Sequence, residues 1–148
     1  RRIHGIMLKK IPKIIPPDLM KAMMEMGHAD VIIFADANFP GTAHAKRIIR
    51  TDGVLIPELL EAVLQFFPLD GFVPNPVRLM RNLPEEPVPE VWETYRRLLK
   101  KYDDAHAFRD FELIDRLPFY RDAEEAYMIV QTGDTARNAN IMLQKGVC

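Results

Sequence analysis

Serine is missing from all 148 residues, so these residues supply no serine nucleophile. Cysteine occurs once, as Cys148 at the terminus, which rules out an internal disulfide or a cysteine cluster around a metal. With Lys145 as its only basic neighbour, that thiol makes a poor catalytic nucleophile. A chain short of cysteine fits a reducing compartment, and a cytoplasmic location is expected. No excess of either charge sign exists: the formal net charge is -1 and the Lys and Arg residues are scattered. Nothing here attracts nucleic acid or an anionic membrane surface. No apolar run approaches the roughly 20 residues that span a bilayer. Repeats and low-complexity linkers are also lacking.

What is present describes one folded domain, with 48% hydrophobic and 28% charged residues. Met7 reads as the start of that domain, 7–148. Residues 1–6 then form an upstream extension or cloning remnant, which weakens any role for His4. Pro16-Pro17-Asp18 opens a helix. Leu19, Met20, Met23, Met24 and Met26 follow at near-helical spacing, with Gly27 as a left-handed stop. Val31 to Phe34 is an uninterrupted β-branched run, as expected of a strand covered on both faces. Further helices are expected over Pro57–Phe67, Pro89–Lys101 and Pro118–Ala126. Strands are expected over Phe111–Ile114, Met128–Gln131 and Ile141–Leu143. Phe72–Met80 is a broken strand, which Pro74 and Pro76 confine to an edge or a bend. The alternation predicts a single small layered α/β domain.

Polar residues collect at both ends of the Val31–Phe34 strand, with His28 and Asp30 before it and Asp36 and Asn38 after it. A turn needs fewer. His28 reads either as a histidine at a helix C-terminus, favoured by the dipole, or as a proton carrier near neutral pH. Asp36-Ala37-Asn38 reads either as an Asx turn or as a pair that binds vicinal hydroxyls. His28, Asp30 and His44 match no compact zinc spacing. Thr132-Gly133-Asp134 lacks the glycines and lysine of a phosphate loop. Arg116-Leu117-Pro118-Phe119-Tyr120 sets a cation beside aromatic rings: plain packing, or the grip used on sugars. Arg137-Asn138-Ala139-Asn140 leads into the strand at Ile141 and needs no more than a turn to explain it.

As an ordered set these segments resemble the ribose pyranase/fucose mutarotase family, its fucose branch most closely. The carriers are Met7-Leu8-Lys9, Met26-Gly27-His28-Ala29-Asp30, Ala35-Asp36-Ala37-Asn38-Phe39-Pro40 and Ile49-Arg50-Thr51-Asp52-Gly53. Arg116-Leu117-Pro118-Phe119-Tyr120, Thr132-Gly133-Asp134 and Asn140-Ile141-Met142-Leu143-Gln144-Lys145-Gly146-Val147 follow. The resemblance implies cofactor-free exchange of monosaccharide anomers, with L-fucose the expected sugar and no metal. It also implies a ring-like homo-oligomer, a decamer, with sugar sites between subunits. His28 would be the catalytic residue. Asp36 would hold a sugar hydroxyl, and would orient the histidine if the fold brought the two close. Arg116 and Asn140 would hold further hydroxyls, Arg116 marking the fucose branch rather than the ribose branch. Phe39 or Tyr120 would cover the apolar face of the ring. One residue departs from the pattern: the family's tyrosine falls at Asn138, whose amide can neither stack on a ring nor act as an acid. The alternatives are a non-catalytic monosaccharide-binding or transport-accessory protein, or a ribose pyranase. Because the strand holds His28 and Asp36 apart, either the chain bends back at Gly27 or a neighbouring subunit completes each site.

Overall fold

A computed structural model describes residues 6–148; residues 1–5, His4 among them, lie outside the described residues. At the centre is a six-stranded sheet. Its strands are β3 (Val31–Ala35), β4 (Ile48–Thr51), β5 (Val77–Met80), β6 (Glu112–Ile114), β7 (Met128–Thr132) and β8 (Ile141–Gln144). They lie in the order β4-β7-β3-β8-β5-β6. A separate hairpin pairs β1 (Ile6–Leu8) with β2 (Ile11–Pro12). The helices are α1 (Pro17–Glu25), α2 (Gly41–His44), α3 (Ile56–Leu64), α4 (Val91–Tyr102) and α5 (Arg116–Glu125).

β3 is buried on both faces, as its composition predicts. Ile32 and Phe34 join the larger core, with Leu19, Leu59, Leu60, Val63, Trp92, Tyr95 and Leu99 from α1, α3 and α4. Ile33 and Ala35 face the smaller core, with Phe119 and Ala123 of α5. Alternate residues thus serve two layers of helix, which is why the run contains no polar residue.

Strand direction positions the functional groups. β8 runs antiparallel to β3 and β5, whereas β3 with β7, β4 with β7 and β5 with β6 are parallel pairs. The loops after β3, β4, β5, β6 and β7 and the loop before β8 therefore gather at one end of the sheet. The segment before β3 and the residues after β8 share the other.

The structure differs from the sequence reading at several points. Gly27 is not the left-handed stop; Met26 ends α1 in extended backbone, and Ala29 takes the positive φ of 75°. The chain therefore leaves α1 without a Schellman turn, and β3 begins at Val31, two residues after Ala29. Met24, one of the apolar residues at near-helical spacing, is 80% exposed. β5 is shorter than Phe72–Met80 and lies inside the sheet between β8 and β6, because both prolines precede it. α5 begins at Arg116, so that residue belongs to its first turn. The hairpin, α2 and β4 were not anticipated, being two to four residues each.

Candidate functional site

Six of the seven candidate residues gather at one end of the sheet. Asp36 follows β3 and is buried. Its Oδ1 accepts the Asn38 N–H at 3.0 Å, the Asx turn that the residue types allow. Asn140, at the start of β8, is 4% exposed and its Oδ1 accepts the Asp36 N–H at 2.7 Å. The Asp36 carbonyl takes the Gln131 amide at 2.6 Å. Burial pushes the Asp36 carboxyl above its ordinary value, against backbone N–H groups of Asn38, Phe39 and Ala139 that pull it down; Asp134 adds to the rise.

Phe39, in the same loop, packs edge-on against Tyr120, with ring centroids 5.5 Å apart. Tyr120 and Arg116 are four residues apart on α5 and share a face. Arg116 is exposed and, among the described residues, has no hydrogen-bond or ion-pair partner. It lines a cleft of about 520 Å³ with Asn138, Met80, Arg81 and Asp115, within the roughly 300–1,000 Å³ usual for small-molecule sites. Asn138 has a φ of 52°. The loop that carries it is clamped from α4: Trp92 Nε1 donates to the Asn138 carbonyl at 2.9 Å and the Tyr95 hydroxyl to the Ala139 carbonyl at 2.6 Å. Burial holds the Tyr95 phenol protonated, as that donation requires.

Thr132-Gly133-Asp134 serves the scaffold at this end. The Asp134 carboxylate accepts the N–H of Ile56, at the start of α3, and that of Ala136. Gly133 passes so close to Asp52 that a Cβ would fall 1.7 Å from its carbonyl oxygen.

His28 lies at the opposite end. The Ala29 N–H donates to the Lys145 carbonyl, so its loop is fastened to the residues after β8. Between the two ends stand the five residues of β3, roughly 16 Å of strand. α1 closes at Glu25, so His28 lies beyond the final helical turn and the dipole reading does not apply. Its imidazole is 43% exposed, and Nε2 lies 3.1 Å from Asp70 Oδ1, a carboxylate only 1% exposed. Asp36, at the far end, does not orient this ring; Asp70 does. Its Oδ1 also accepts the Phe72 N–H, and its Oδ2 the Gln144 amide. Burial pushes the Asp70 carboxyl up, but those donors together with His28 outweigh it and hold the group below its ordinary value. Gln144 accepts in turn from Arg78, which pairs with Glu112. The Phe72 ring stands 5.4 Å from the imidazole, centroid to centroid. In sequence Asp70-Gly71 reads only as a turn, so nothing in the chain announced this partner.

Within one chain, then, His28 and Arg116 stand at opposite ends of the sheet, and the cleft that Arg116 lines does not include His28. The bend at Gly27 does not occur. Asp30 accepts the Gly27 N–H, while His44 pairs with Glu124 at the other end, so the three residues weighed as metal ligands do not converge. An apolar hollow of about 630 Å³ lies between the hairpin and α1, and none of the candidates lines it.

Residues 9–148 match the model of the RbsD / FucU transport protein family. The chain belongs to this family. Among curated RbsD / FucU relatives, the fucose mutarotase of Bos taurus is 39% identical, over 96% of this chain and 95% of that protein. The fucose mutarotase of Homo sapiens is 38% identical over the same shares. The crystal structure of the Streptococcus pneumoniae fucose mutarotase in complex with L-fucose superposes with a TM-score of 0.89 at 44% identity, covering 95% of this chain and 99% of that one. Bacillus subtilis RbsD, complexed with D-ribose, shares the fold with a TM-score of 0.68 at 18% identity, over 100% of this chain and 99% of that one.

Proposed function

We propose that this protein is an isomerase that interconverts the α and β anomers of L-fucose, without a cofactor, at sites built between copies of the chain. The observation that carries the reading is the His28–Asp70 pair: a half-exposed imidazole fixed by a buried carboxylate whose remaining hydrogen bonds are internal. Full-length likeness to fucose mutarotases supplies the sugar.

Anomer exchange opens the hemiacetal. The ring oxygen gains a proton, the anomeric hydroxyl loses one, and the bond from the anomeric carbon to the ring oxygen breaks, leaving an aldehyde and a free hydroxyl. Rotation and reclosure give the other anomer. The reaction proceeds unaided in water, so positioned acid–base catalysis, worth about 10²–10⁴-fold, suffices. His28 moves the proton, and Asp70 holds the ring and stabilises its cationic form. Asp36, Arg116, Asn138 and Asn140 bind hydroxyls, while Phe39 and Tyr120 wall the apolar face and methyl group. Because the two groups occupy opposite ends of the sheet, His28 of one copy serves the hydroxyl-binding end of the next in a closed ring, the decamer expected of the family.

Saturation-transfer NMR on L-fucose tests this. Exchange should rise in proportion to added protein and fall by about 10²–10⁴-fold in His28→Ala. Asn138, standing where a phenol is expected, favours one rival, a binder without catalysis; line broadening of fucose without exchange would establish it. Faster exchange with D-ribose than with L-fucose would establish the ribose reading instead.

A further inference from the structure

His44 has no place in the site as described, yet it is built into the wall beside it. It ends α2, and its Nδ1 lies 2.8 Å from Glu124 Oε2 on α5. Its ring stacks on Tyr120, with centroids 5.1 Å apart and planes at 29°. Phe39 closes the cluster, edge-on to Tyr120 and 6.5 Å from His44. Arg116, Tyr120 and Glu124 recur every four residues, so one stripe of α5 carries the guanidinium, the phenol and the carboxylate that anchors His44. The His44 side chain is only 22% exposed.

We propose that His44, anchored by Glu124, is a positioning residue that fixes the plane of Tyr120 and so sets substrate affinity. It rests on the reading above only in assigning Tyr120 to the sugar. A tyrosine turns about two side-chain bonds. With His44 over its face and Phe39 at its edge, one orientation remains. Without His44 the ring gains rotamers, and sugar binding must then order it again, a cost that falls on association. His44 itself moves no proton in the exchange, so turnover is spared.

The test is the exchange assay across L-fucose concentrations, with ring-proton NMR of Tyr120. His44→Ala should raise the half-saturating concentration about threefold to tenfold. Its maximal rate should stay within about twofold, and the Tyr120 ring signals should lose the upfield shift due to the stacked imidazole. His44→Phe, which keeps a ring over Tyr120, should restore affinity to near the original value. Glu124→Gln should be mild, since an amide oxygen still accepts from Nδ1, and Glu124→Leu should fall between the two. An unchanged half-saturation in His44→Ala, an equal loss in rate and affinity, or no rescue by phenylalanine would overturn the inference. Absence of exchange in the unaltered protein would defeat the proposed function instead, and the Tyr120 signals would still report whether His44 holds that ring.

Discussion

Two buried carboxylates at opposite ends of β3 are tuned in opposite directions, and each makes a prediction. A carboxyl raised by folding, as in Asp36, binds its proton more tightly than in the unfolded chain. Its stabilising contribution is complete below the ordinary carboxylate range and is lost as pH climbs through the raised value. Asp36→Asn keeps an acceptor oxygen for the Asn38 N–H without the charge. Its stability at neutral pH should equal or exceed that of the parent while fucose affinity falls. Asp70 is held low, so its contribution is present above the ordinary range and is lost as pH falls through the lowered value. Asp70→Asn should flatten the acid limb of stability and slow exchange by more than about tenfold, part of the roughly 10²–10⁴ available to acid–base catalysis. Urea titrations across pH, together with the exchange assay, check both. Asn138 adds a third case. Its φ of 52° suits asparagine better than tyrosine. Asn138→Tyr should therefore raise the exchange rate while costing roughly 1–2 kcal/mol of stability. A rate unchanged or lower would mean that the site is organised around the amide.

At the scale of elements, α4 reaches the site without entering it. Trp92 and Tyr95 belong to its buried face, and each also ends in a donor that grips the 138–139 backbone. Tyr95→Phe should cost about 1 kcal/mol and weaken fucose binding, because the loop that sets Asn138 and Asn140 loses a clamp. Denaturation curves and half-saturation measured on the same variant would separate the two effects. The helical faces were legible in the sequence because burial writes itself as spacing: Leu59, Leu60, Val63 and Leu64, on one face of the helix expected over Pro57–Phe67, are all buried. β3 was legible because two covered faces leave no polar residue. β4 was not, since Ile48–Thr51 carries Arg50 and follows Arg47, a charged edge with little pattern. The Gly27 stop failed because Asp30 caps that N–H and the left-handed turn moved to Ala29, a choice made by local hydrogen bonds. The His28 partner was equally hidden, because Asp70 reaches it across 42 residues of chain.

For the whole molecule, the sheet acts as a spacer. It holds the His28 imidazole at one end and the residues proposed to bind hydroxyls at the other, and the five residues of β3 do not fold back. A sugar is much smaller than that separation, so an isolated chain should exchange anomers slowly, and activity per chain should decline on dilution below the dissociation range of the assembly. In the proposed assembly, His28 and Arg116 of different copies share one site. The most direct measurement dissociates His28→Ala and Arg116→Ala proteins, each with little activity, then reassembles them together at equal amounts and follows fucose exchange by saturation-transfer NMR. Random assembly pairs an intact His28 with an intact Arg116 at about a quarter of the interfaces. The mixture should recover about that fraction of the parent rate, whereas a mixture no faster than its two components would rule out a site shared between copies.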